Sequence, residues 1–137
     1  ERIGPTAALK TLEVMERETP WEHATDLGLY LRDLWQQLAH RHGLQIDISG
    51  LPSLSGFTFQ SPRHLAYKTL ITQEMLKKGY LAGTACYVSL AHTRAVFDSY
   101  AQALDPIFGL IKQCEDGRDI DLLLEGPVCH AGFQRVN

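Results

Sequence analysis

Three cysteines, six histidines and the lysines Lys10, Lys68, Lys77, Lys78 and Lys112 are the side chains best suited to carry a reaction. Cys129-His130 sets a nucleophile beside a base. Adjacent residues of an extended segment point opposite ways, so the two would not share a hydrogen bond. His40 and His42 stand two apart at a helix end and diverge, which suits capping of the helix dipole better than a metal. His92 falls between a strand and a helix. There it either lines a cleft, as loops at strand ends often do, or anchors the turn by bonding nearby backbone, and the anchor is the preferred reading. A Schiff-base lysine needs a lowered pKa or a desolvated setting. All five lysines fall on predicted helices among polar neighbours, so solvated faces are the default. No catalytic residue and no metal site is expected from these groups. GxSxG, HExxH, Walker and EF-hand patterns are absent from the sequence.

The thiols Cys86, Cys114 and Cys129 have no CxxC spacing and are odd in number, so neither a disulfide framework nor a zinc cage follows. Free thiols fit a reducing cytoplasm, and Cys86 and Cys114 read as small buried apolar side chains. The 137 residues suit one domain, 1–137, of ordinary globular composition (45% hydrophobic, 21% charged). A formal net charge of -3 argues against a nucleic-acid partner. No apolar run approaches the roughly 20 residues that span a bilayer, and the charged first 20 residues do not form a signal peptide. The chain does not begin with Met and reads as a fragment of something longer.

The elements that must position these groups follow from periodicity. Gly4-Pro5 opens a first helix with Ala8, Leu12 and Met15 as its apolar stripe. Thr19-Pro20-Trp21-Glu22 reads as a capping box for a second helix. Its stripe is Leu27, Leu31, Leu34 and Leu38, with Leu31 and Leu34 in the core, His40 exposed and Gly43 as the stop. Leu44, Ile46 and Ile48 alternate as a strand, and Phe57 and Phe59 mark an antiparallel partner over Ser55 to Gln60. Ser61-Pro62 opens a third helix that runs to Lys77-Lys78. Ala85 to Leu90 is the third strand. Thr93 starts a fourth helix lined by Phe97, Tyr100, Leu104, Ile107, Ile111 and Cys114, which Pro106 should kink or restart. A short helical turn is expected within Asp119 to Glu125, and Val128 to Asn137 has no period. The order predicts an α+β fold, a small mostly antiparallel three-stranded sheet with helices packed on one face. No strand leads into a Gly-rich phosphate loop, which excludes a Rossmann unit.

Four segments in this order resemble a known family. ERIGPTAALKTLEVME resembles the opening of the C-terminal small domain of class III pyridoxal-phosphate aminotransferases, closest to the glutamate-1-semialdehyde aminomutase type. GLPSLSGFTF resembles that family's Gly-x-x-Phe strand, GYLAGTACYVSLAHT its strand with the SLAHT ending, and the helix after LAHT matches in place. The resemblance spans essentially the whole chain. It implies a small domain that closes over substrate, packs on the large pyridoxal-phosphate-binding domain of the same chain and helps a homodimer assemble. In the isolated domain an apolar patch would then be exposed where the large domain packs, with Ile3, Leu9 and Val14 of the first helix, which do not all fit one stripe, as its main contributors. The parent would transfer an amino group, with the cofactor as electron sink. The aldimine lysine, the Asp at the pyridine nitrogen and most phosphate ligands would lie upstream, so this fragment alone would bind no cofactor and be inactive. Glu1 and Arg2 would be its residues nearest the cofactor, His92 and Arg135 would line the cleft, and Arg135 would pair a carboxylate at the domain junction. Pro106 and the tail LLLEGPVCHAGFQRVN depart from the family pattern. The alternatives are a non-enzymatic helical interaction module and a Cys129-based hydrolase.

Overall fold

A computed structural model describes residues 1–132. Four helices and three strands follow in the order α1 (Ile3–Glu18), α2 (Pro20–Arg41), β1 (Ile46–Ser49), β2 (Leu54–Phe59), α3 (His64–Lys77), β3 (Ala85–Tyr87) and α4 (Arg94–Glu115). The sheet order is β1-β2-β3 with both pairs antiparallel. This is the α+β architecture expected. Register pairs Ile46 with Phe59 and Ile48 with Phe57, so these four share the inner face, while Asp47, Thr58 and Tyr87 occupy the outer one. Helices α2, α3 and α4 cover the inner face.

The core is an aromatic wedge. Phe57 lies 4.8 Å from Trp35 and 5.9 Å from Phe108, and Phe59 lies 5.6 Å from Tyr67 and 5.3 Å from Phe108 (ring centroids). Tilted and edge-on pairs of this kind add to simple area burial. Trp35, rather than the expected Leu34, completes the α2 stripe. Both positions fit a period of 3.6, but the indole fills the space above Phe57 and its Nε1–H donates to the Tyr100 hydroxyl at 3.1 Å. Leu34 is left half-buried, whereas Leu31 is in the core and His40 is exposed, as expected. Gly28 has a physical reason: a Cβ there would meet the Pro52 carbonyl oxygen at 1.9 Å. Arg32 fastens the same β1–β2 turn to α2 by donating to Ser55 Oγ at 2.7 Å and to the Gly50 carbonyl at 2.6 Å.

Several local expectations need correction. Thr19 is not a side-chain cap. It takes a left-handed backbone (φ 42°) that ends α1, its N–H donates to the Met15 carbonyl, and its hydroxyl bonds the Glu22 carboxylate at 3.3 Å. α3 begins at His64, because Ser61-Pro62 first form a turn in which Ser61 Oγ accepts the Arg63 N–H. β3 stops at Tyr87, since the chain bends at Ser89 to His92. α4 runs unbroken through Pro106. A proline there removes one backbone bond, and in the turn before it Lys78 Nζ adds one to the Ala103 carbonyl at 2.6 Å. Thr93 caps α4 as expected, accepting the Val96 N–H. Asp119 to Glu125 is a hydrogen-bonded turn rather than a helix. It buries Ile120 and is clamped by Gln73, which donates to the Leu123 carbonyl and accepts the Glu125 N–H, both at 2.8 Å.

The largest departure is α1. Its expected inner stripe is exposed, with no buried residue in sixteen. Leu9 and Leu12 are 69% and 62% exposed.

Candidate functional site

The turn between β3 and α4 is built by His92. The Ser89 N–H donates to His92 Nδ1 at 2.9 Å, Ser89 Oγ lies 3.1 Å from the same nitrogen, and the ring stacks on Phe97 at 5.2 Å. An Nδ1 that accepts an amide hydrogen puts the neutral ring's own hydrogen on Nε2. His23 Nε2 meets the His92 carbonyl at 3.1 Å and ties α2 to the turn. The anchor reading of His92 therefore has its geometry. The same ring also lines a cavity of about 140 Å³ beneath the turn, together with Leu31, Cys86, Val96, Phe97 and Tyr100. Burial pushes the Cys86 thiol and the Tyr100 hydroxyl above their ordinary pKa values, so both are protonated at neutral pH.

A more polar cleft of about 330 Å³ lies at the other end of the core, between the Gly43–Gln45 and Phe59–Ser61 segments and the end of α4. There Glu115 accepts from both the Tyr67 hydroxyl and Ser61 Oγ, and Lys112 pairs with Asp116 at 2.5 Å. The Tyr67 bond holds the Glu115 carboxyl below its usual range, while burial and that same carboxylate push Tyr67 up to about 12. The charges in this cleft are matched internally, as in a structural network.

The other candidates disperse. Glu1 and Arg2 lie exposed at the start of α1, and the structure does not bring them to His92. Arg135 lies outside the described residues. His42 caps α2 and turns its Nε2 to Asp105 of α4 at 2.6 Å, while Arg41 meets the other oxygen of that carboxylate at 2.6 Å. Cys129 is half-buried against α3: its N–H donates to Thr69 Oγ1 and its thiol reaches the Leu65 carbonyl, and His130 is exposed. Among the described residues no three metal-ligating side chains cluster, and no helix is long and apolar enough to cross a membrane.

The lysines do not fit an aldimine site. Lys10 and Lys112 pair with carboxylates, Lys78 donates to a carbonyl and Lys68 is exposed. Glu125 and Glu74 raise the Lys77 pKa, the opposite of what a nucleophilic amine needs. Sequence reasoning found His92 but missed Tyr100 and Cys86 as its neighbours. Tyr100 carries the helical period of α4, and its link to Trp35, 65 residues away, has no local signal.

No protein-family model matches the chain, and no curated protein does. Among solved structures, the chain is similar to the FumI protein of Sphingopyxis sp. MTA144 in its PLP internal aldimine form, with a TM-score of 0.68 and 20% sequence identity. The alignment covers 86% of this chain and 29% of that one, so the chain spans under a third of its neighbour's length. At this identity the likeness is one of fold. The chain is folded as one part of a pyridoxal-phosphate protein is folded, and nothing in the likeness singles out the glutamate-1-semialdehyde aminomutase type.

Proposed function

We propose that this chain is the small C-terminal domain of a pyridoxal-phosphate-dependent enzyme of the class III aminotransferase type. Its parent would transfer an amino group between small molecules. The observation that carries the reading is the fold shared with a pyridoxal-phosphate protein over 86% of this chain. The four sequence segments that resemble the family support it from a separate direction. In this reading the large domain of the same chain holds the cofactor and the aldimine lysine. The present domain packs on it through α1, whose Leu9 and Leu12 have no cover among the described residues. The parent is a homodimer, and three free thiols suit a reducing cytoplasm. The four sequence segments resemble those of the glutamate-1-semialdehyde aminomutase type.

The test is borohydride reduction of the full-length gene product loaded with pyridoxal phosphate, followed by peptide mapping. The pyridoxyl group should fall on a lysine outside residues 1–137. Its appearance on Lys10, Lys68, Lys77, Lys78 or Lys112 would overturn the assignment, as would a full-length product that binds no pyridoxal phosphate.

A further inference from the structure

The cavity beneath the β3–α4 turn has an imbalance of hydrogen-bonding groups. Tyr100 accepts the Trp35 Nε1–H at 3.1 Å, and its own hydroxyl hydrogen has no acceptor among the described residues. His92 spends Nδ1 on Ser89, which leaves Nε2–H as a donor without a described acceptor. The Cys86 thiol, held protonated by burial, is a third and weaker donor in the same wall. Tyr80 also lines the cavity, with its hydroxyl paired to Ser99 Oγ at 2.6 Å, and the remaining lining, Leu31 and Val96 among it, is apolar. All three donor residues line this space, and no charged side chain does.

His92 and Tyr100 are half-buried, and no fully buried side-chain nitrogen or oxygen among the described residues lacks a partner, so these donors are open to an incoming acceptor rather than orphaned in the core. An apolar pocket with a few fixed polar groups is the usual form of a small-molecule site. The volume of about 140 Å³ is close to the roughly 150 Å³ at which an apolar protein cavity takes a ring the size of benzene. The geometry points to a binding site for a small, neutral, carbonyl-bearing molecule of about six or seven heavy atoms. Its oxygen accepts from Tyr100 and His92, and its hydrocarbon body lies against Val96 and Phe97. A carboxylate is disfavoured, because no cation lines the cavity to balance it. This site stands independently of the cofactor reading above, because every group in it belongs to the present chain.

Cyclohexanone and methylenecyclohexane are matched probes, with nearly the same shape and only one carrying an acceptor. In an amide-detected NMR titration of the 137-residue chain, cyclohexanone should shift the Cys86, His92 and Tyr100 signals to saturation. It should bind roughly tenfold more tightly than methylenecyclohexane, as expected for one or two hydrogen bonds. Val96→Phe fills the cavity from its rim and should abolish the shifts in a protein whose remaining spectrum is unchanged. If that variant does not fold, the probe pair on the wild-type chain decides. Absence of saturable shifts at those three residues, equal affinity for the two probes, or full binding by a folded Val96→Phe would each overturn the proposal.

Discussion

Helices α1 and α4 both carry large apolar residues at helical spacing, yet α4 buries seven residues and α1 buries none. In α4 the stripe from Phe97 to Cys114 faces the aromatic wedge of β2 and the flanks of α2 and α3. In α1 the corresponding residues, Ala8, Leu12 and Met15, are all exposed. An amphipathic period states that a helix has a face to bury and leaves open what buries it. Exposed apolar residues gathered on one face of a helix mark a docking surface. The division is therefore between a domain that closes its own core through α2, α3, α4 and the sheet, and an arm that presents an open one.

The division can be broken most strongly at Trp35. It is fully buried, packs at a tilt against Phe57 and supplies the Tyr100 partner. Trp35→Ala should cost about 3–5 kcal/mol in urea denaturation, the range for large aromatic deletions in a core. A cost below about 1 kcal/mol would place the centre of the domain elsewhere.

A smaller effect sharpens the same division electrostatically. Asp105 joins α4 to α2 through His42 and Arg41, and those bonds hold its carboxyl below the usual range. A carboxyl depressed on folding contributes stability above its unfolded pKa of about 3.9, and that contribution is lost as pH falls through the folded value. Arg41 is largely exposed, so the contribution is discounted to roughly 0.5–1 kcal/mol. Asp105→Asn should flatten the acid limb of stability against pH by that amount. The α1 pair Lys10–Glu13, whose two side chains are 64% and 63% exposed, should contribute nothing measurable in the same experiment. An unchanged acid limb in Asp105→Asn would show that the α2–α4 clamp does not matter to folding.

Fold class and element order were legible in the sequence because they rest on local signals. The alternation of Ile46 and Ile48, the capping Thr93 and the stops at Gly43 and Gly117 are each decided within a few residues. What was not legible depends on distant partners. Whether Leu34 or Trp35 faces inward is settled by Phe57 across the core. Whether Pro106 breaks α4 is settled by packing that holds Ile107 and Phe108 fully buried on its far side. His92 was visible as a loop residue between a strand and a helix, but its cavity was not. Tyr100 and Cys86 come from different elements, and only the folded register of β3 beside α4 brings them together. In α1 the stripe of Ala8, Leu12 and Met15 was legible but not its exposure, whereas the exposed patch expected from Ile3, Leu9 and Val14 is present at Ile3 and Leu9, with Val14 half-buried.

The smallest expected effect is the most diagnostic for α1. Leu12→Gln keeps helix propensity nearly constant, since Leu and Gln rank close together. It removes apolar surface from a residue that is already 62% exposed. The unfolding free energy of the monomer should therefore change by less than about 0.5 kcal/mol, as for surface substitutions away from special features. Association should respond differently. An open apolar face drives the isolated chain to self-associate at high concentration, and Leu12→Gln should shift sedimentation toward the monomer while the denaturation midpoint stays in place. A loss of more than about 1 kcal/mol in a strictly monomeric sample would mean that α1 folds back onto its own domain. The contrast with α4 would then disappear, and with it the reason for assigning α1 to a partner domain.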